Sequence, residues 1–202
     1  MPQPPSSYDW NTVPCWRDVL EGRAELGVGS RWTPSGLGQR LAEGPDCSLV
    51  VEGATAAGLG MLCARFCTDP GPQQSLLEWL IALTADLQAL APEAQLRPRL
   101  ERLRGPGCPR LHVDQLALRL LCTLQGPGTE WLPAPVPDRA GLLRPGQPQI
   151  QAVSALQRVP TGAPALLRGE RFPDQPGAGA VHRSPPAVSG QARVLLAIDL
   201  RV

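Results

Sequence analysis

The sequence predicts an α+β fold in which a helical N-terminal layer, residues 1–95, packs on a C-terminal double-stranded β-helix, or jelly roll, over residues 96–202. Three observations carry this expectation. Apolar residues recur at helical spacing as far as Leu90. Beyond residue 95 they fall instead into short runs of alternating or continuous type. Those runs are separated at close intervals by glycine and proline, the texture of a sandwich or jelly roll. A chain of 202 residues is the length of one domain, so both parts are expected to share one compact unit.

Along the chain, Pro4-Pro5-Ser6-Ser7 reads as a disordered tail. Trp16, Val19 and Leu20 mark a short helix, and Leu59, Leu62, Cys63 and Phe66 repeat the pattern on a longer one. Pro72 and Ser75 precede Leu76, Leu77, Leu80, Leu83, Leu87 and Leu90, an apolar stripe that stops before Pro92. Strands are expected over 96–103 and 116–124, the latter with Arg119 in its middle. Gly126-Pro127-Gly128 then turns the chain into Thr129-Glu130-Trp131-Leu132. Residues 133–149 carry five prolines and read as a surface loop. Further strands are expected at 150–156, 163–168, 178–182 and 192–200, with proline confining some of them to edges or ends.

Composition excludes several function classes. The formal net charge is +1, and aromatic residues are 4% of the chain, so no basic, aromatic-laced face for nucleic acid is expected. All 19 basic residues are arginine, which removes any lysine Schiff base or phosphate-loop lysine. No apolar run approaches the roughly 18 residues of a membrane span, and the start lacks the charged and apolar regions of a signal peptide. The expectation is a cytoplasmic protein whose six cysteines (15, 47, 63, 67, 108, 122) are reduced. Cys63 and Cys67 read as core residues, while Cys108 and Cys122 flank the first histidine as possible metal neighbours. A Gly-x-Ser-x-Gly elbow is absent. The oligomeric state is left open.

The chemistry-bearing residues are few. The chain has two histidines. One lies in His112-Val113-Asp114, where a period of two puts both side chains on one face of a strand. The other, His182, ends a strand about seventy residues later, far enough for a jelly roll to bring it opposite the first pair. Two imidazoles and a carboxylate can hold one face of an octahedral metal and leave the other positions open. Arg193, eleven residues beyond His182, carries a forked, permanent charge suited to a bound dicarboxylate. Arg119 is a second candidate for that role, pointing either into the barrel or at a salt bridge. Glu130 and Trp131 read as packing, and Glu101 and Asp199 as ion-pair partners. Each histidine also has a plain alternative as a hydrogen-bonded core or surface residue.

The block from Cys108-Pro109-Arg110-Leu111-His112-Val113-Asp114-Gln115 through Gly126-Pro127-Gly128-Thr129-Glu130-Trp131-Leu132, followed by Val181-His182-Arg183-Ser184-Pro185-Pro186, resembles the uncharacterised bacterial family called domain of unknown function 1826. The C-terminal half also resembles the iron(II)/2-oxoglutarate-dependent, prolyl-hydroxylase-like oxygenases. That resemblance implies Fe(II) on His112, Asp114 and His182, with Arg193 binding the distal carboxylate of 2-oxoglutarate. It further implies oxidative decarboxylation of that co-substrate coupled to oxidation of a second substrate. The chain departs from the pattern at Leu195, where many such enzymes have Ser or Thr. Three other readings stay open. The same ligands could hold Zn(II) in a non-catalytic protein of bacterial metal homeostasis. They could also serve a cupin-like hydrolase or isomerase, or the domain could bind no metal.

Overall fold

The structure is a computed structural model that describes residues 14–105, 107–136, 139–142, 144 and 155–201. The expected tail at 4–7 and most of the expected strand at 150–156 lie outside the described residues.

Two antiparallel sheets face each other. The larger has six strands in the order β1-β7-β4-β9-β3-β2: β1 (Leu26–Val28), β2 (Cys47–Val50), β3 (Gln95–Leu103), β4 (Leu118–Gln125), β7 (Ala165–Arg168) and β9 (Arg193–Arg201). The smaller has three in the order β6-β5-β8: β5 (Glu130–Leu132), β6 (Gln157–Arg158) and β8 (Val181–Arg183). The long strands β4, β9 and β3 are adjacent in the larger sheet, with nine register pairs between β3 and β9. Arg139–Leu142 form a short helix, α5, inside the stretch that reads as loop.

Residues 14–94 supply helices and also both flanking strands of the large sheet, since β1 pairs with β7 and β2 with β3. The region before residue 95 reads as helical in sequence, and these two strands are the difference. A three- or four-residue strand is too short for a period of two to show. It forms here because a sheet edge satisfies its backbone hydrogen bonds.

The helices follow their apolar stripes. In α3 (Ala56–Phe66), Leu59, Leu62, Cys63 and Phe66 are buried, and the Thr55 hydroxyl caps the start by accepting from Gly58 N at 3.1 Å. In α4 (Pro70–Leu90), proline opens the first turn, and Leu76, Trp79, Leu80, Leu83, Thr84 and Leu87 are buried. Two shorter helices, α1 (Trp16–Leu20) and α2 (Leu37–Leu41), complete the N-terminal part. The buried face of these helices joins Leu100, Leu118, Leu120, Cys122, Leu196 and Ile198 in one cluster on the outer face of the large sheet. Buried Arg102 ties the two layers together. Its guanidinium donates to the carbonyls of Pro45 (2.6 Å), Leu41 (2.9 Å) and Phe66 (3.4 Å), the last two being the C-terminal residues of α2 and α3. A cation there meets the negative ends of two helices.

Strand alternation gives the large sheet its second face. Leu121 of β4, Leu195 and Ala197 of β9, and Ala165 and Leu167 of β7 pack with Trp131 of β5 in a separate cluster between the sheets. This inner face also carries Arg119, Thr123, Arg193 and Asp199, and it is where the polar chemistry collects.

Leu120 is fully buried on the outer face of β4. Leu120→Ala should lower unfolding free energy by about 2–5 kcal/mol, read as a reduced urea midpoint at unchanged slope.

Candidate metal centre

His112 and His182 are brought face to face by one isolated antiparallel bridge. Each backbone N–H donates to the other's carbonyl at 2.9 Å. His182 lies on β8 directly opposite Trp131 of β5, so both side chains point between the sheets. Leu111, Val113, Leu132 and Val181 form a cluster on the other side of the small sheet. By alternation, His112 and Asp114 therefore share the inward face with His182. The sequence suggests a strand running through His112 and Asp114, but only His112 is paired. The backbone then becomes irregular, with the Asp114 carbonyl accepting from Glu170 N at 2.8 Å.

One ligand atom from each of the three side chains lies within 4.8 Å of the others. His182 Nε2 is 3.5 Å from Asp114 Oδ2, and His112 Nε2 is 3.9 Å from Asp114 Oδ1. The two rings stand 4.5 Å apart at 49°. Both Nδ1 atoms point away from this centre, His112 Nδ1 at 2.8 Å from the Arg110 carbonyl and His182 Nδ1 at 3.0 Å from the Ala180 carbonyl. A carbonyl only accepts, so these contacts assign the proton to Nδ1 and leave each Nε2 lone pair aimed at Asp114.

The carboxylate is asymmetric. Oδ1 of Asp114 accepts from Arg119 Nη1 at 2.6 Å, whereas Oδ2 is buried with no hydrogen-bond partner. A buried carboxylate oxygen left bare is costly. A divalent cation between it and the two Nε2 atoms removes that cost, so the donor set fits a metal. Two imidazoles and a carboxylate suit iron(II) and accept zinc as well. Burial decreases from His182 (5% side-chain exposure) through Asp114 (10%) to His112 (33%), so the centre opens on the His112 side. Burial pushes the His182 imidazole down to about 4, against the attraction of Asp114.

Arg193 lies on the same inner face of β9. Nε donates to the Pro127 carbonyl (3.0 Å) and Nη2 to the hydroxyls of Thr123 (3.0 Å) and Thr129 (3.1 Å); Nη1 lies 3.5 Å from Ser184 Oγ. All four partners are neutral. Burial lowers its pKa to about 10. The turn that reaches it needs glycine twice, since Gly126 has φ 85° and a Cβ on Gly128 would overlap the Val159 carbonyl. Leu195 packs in the inner apolar cluster, and the hydroxyls beside Arg193 come from Thr123 and Thr129. Neither threonine stands out in sequence. Inward alternation along β4 is the only signal for Thr123, and position after the turn the only one for Thr129.

Arg119 does not join Arg193. It bridges Asp114 and Asp199, with Nε at 2.6 Å from Asp199 Oδ1. Cys122 faces the helices, where burial pushes its thiol up to about 12, so it is on the wrong side of β4 to neighbour a metal. Cys108 is exposed, and Cys63 and Cys67 are buried without a disulfide. Glu130, on the outer face of β5, accepts from Arg158 (2.6 Å) and Arg183 (2.8 Å).

The model of the family described as "Protein of unknown function (DUF1826)" matches residues 49–199. Among curated proteins none matches the chain in sequence. In structure it is similar to a rice dioxygenase for auxin oxidation (TM-score 0.55, 16% identity, covering 92% of this chain and 77% of that one). It is also similar to a Pseudomonas putida prolyl-4-hydroxylase (TM-score 0.51, 12% identity, covering 92% and 97%). At these identities the likeness is one of fold, an oxygenase-type jelly roll. None of the described helices is long and apolar enough to cross a membrane.

Because burial depresses the His182 pKa, the unfolded chain binds this proton first as pH falls. The contribution of neutral His182 is thus complete above about pH 6.5 and is lost as pH drops toward about 4. Urea unfolding of the metal-free protein should show stability falling across this window by up to about 1.4 kcal/mol per pH unit. In His182→Gln the slope should be shallower.

Proposed function

We propose that this chain, which belongs to the DUF1826 family, binds a divalent metal through His112, Asp114 and His182 and acts as a non-haem iron(II)/2-oxoglutarate-dependent oxygenase. The observation that carries the reading is the Asp114 carboxylate, whose Oδ2 is buried without a hydrogen bond 3.5 Å from His182 Nε2 and whose Oδ1 lies 3.9 Å from His112 Nε2. The oxygenase-type fold supports it from a second direction.

When bound, iron(II) with 2-oxoglutarate supplies the oxidation: dioxygen and the oxo acid give succinate and carbon dioxide, and one oxygen atom goes to the second substrate. The protein's own residues do the positioning. In this reading Arg193 pairs bidentately with the distal carboxylate of 2-oxoglutarate; its hydrogen-bond partners are neutral, and Glu101 and Glu130 act on it only through space. Thr123 and Thr129 donate hydroxyls to that carboxylate, the part that Ser or Thr plays in relatives where this chain has Leu195. The Arg110 and Ala180 carbonyls accept the ring protons at Nδ1, so in the neutral tautomer each Nε2 carries the lone pair. Leu121, Trp131, Leu195 and Ala197 exclude water between the sheets. The second substrate approaches past His112, the most exposed of the three ligands. The helical layer stiffens the sheet from behind. Six free thiols suit a reducing compartment such as the cytoplasm.

Single substitutions His112→Ala, Asp114→Ala and His182→Ala should each abolish stoichiometric metal binding by calorimetry while circular dichroism stays near wild type. Unchanged metal content in all three would defeat the proposal. Fe(II)-loaded protein, prepared without oxygen, should gain a weak visible charge-transfer band on adding 2-oxoglutarate, and Arg193→Ala should lose it. A protein that binds Zn(II) or Fe(II) tightly yet never shows the band is a divalent-metal handling protein instead.

A further inference from the structure

We infer that Arg119 is a positioning residue for the metal centre: it holds Asp114 so that one oxygen alone is offered to the ion, while Asp199 cancels the arginine's charge. The inference rests on the metal centre proposed above. Arg119 is the inner member of a row that crosses three neighbouring strands, Arg97 on β3, Asp199 on β9 and Arg119 on β4, each paired in register with the next. Its Nε binds Asp199 Oδ1 and its Nη1 binds Asp114 Oδ1, both at 2.6 Å. Two carboxylates on two nitrogens of a planar group fix its orientation. Asp199 in turn has Arg97 Nη1 at 4.0 Å.

Two consequences follow from this chain of contacts. Asp114 Oδ1 is already engaged, so the free oxygen is Oδ2, which lies 3.5 Å from His182 Nε2. An ion that took both oxygens would have to share Oδ1 with the guanidinium, setting two cations on one atom in a largely shielded place, since Arg119 and Asp114 are 19% and 10% exposed. The second consequence is electrostatic. A bare guanidinium one carboxylate away would repel a divalent cation, and Asp199 supplies the opposing charge. An ordinary cross-strand ion pair would be indifferent to the metal, and this difference is measurable. Groups that orient a ligand typically change metal affinity 10–100-fold when removed.

The test is Co(II) titration of the full-length, metal-free protein, followed by calorimetry and by visible d–d absorption, with thermal unfolding recorded alongside. Arg119→Met should weaken Co(II) binding by about 10–100-fold and change the d–d spectrum, because Asp114 is no longer limited to one oxygen. Arg119→Lys, which keeps the charge without the fork, should recover the wild-type spectrum only in part. Asp199→Asn should weaken binding about tenfold while leaving the spectrum as in wild type, since Arg119 still holds Asp114. Lowered thermal stability with wild-type Co(II) affinity and spectrum in Arg119→Met and Asp199→Asn overturns the assignment and leaves a purely structural ion pair. A wild-type protein that takes up no Co(II) overturns the metal centre itself, and the role of Arg119 with it.

Discussion

The two backbone hydrogen bonds between His112 and His182 are the constraint on which the rest of this molecule turns. They close the irregular stretch after Arg110 onto β8, and β8 is held to β5 by only three register pairs. Because residues opposite each other across an antiparallel pair share a face, this one bridge commits both imidazoles to the space between the sheets. Asp114 follows by alternation, and Leu111 and Val113 are driven to the opposite side. A slip of one residue would exchange the two sets, burying the donors in an apolar cluster.

The inner face gathers groups that are costly to bury. Folding has buried a carboxylate oxygen without a donor, an imidazole that resists protonation, and an arginine whose hydrogen-bond partners are all neutral. Each of these is unfavourable taken alone. They lie on one inner face, where a metal and an anion would satisfy them together. The outer face of the same strands offers the contrast. There, Leu118, Leu120, Cys122 and Leu124 of β4 meet the helices in an almost wholly apolar cluster. Arg102, a buried charge on this side, has helix-terminal carbonyls around it. One face of the sheet carries the apolar core with the helices and the other the ionic and polar groups, and period-two alternation keeps them apart.

Register, not alternation, separates the two arginines. Arg119 and Arg193 share the inner face, yet they sit on different strands and in different rows. Arg119 meets carboxylates and becomes part of the framework around Asp114. Arg193 meets a turn carbonyl and hydroxyls, and keeps its charge available. Residue type cannot separate these roles, because both are arginines in strands; the neighbours decide.

Much of this was legible in the chain itself. Two histidines, one followed two residues later by aspartate, are the full complement of imidazoles in the chain, and their spacing limits what can hold a metal. The stripes that became α3 and α4 and the apolar runs that became β3, β4 and β9 are long enough for periodicity to show. Strands β1 and β2 were not legible, since three or four residues carry no period and exist only because β7 and β3 need edges. Nor could the sequence separate the partners of Arg119 from those of Arg193, or point to Thr123 and Thr129. Apart from Arg119 with Asp114 and Arg193 with Ser184, those are contacts between residues more than sixty positions apart, and only strand register and the packing of the two sheets decide them.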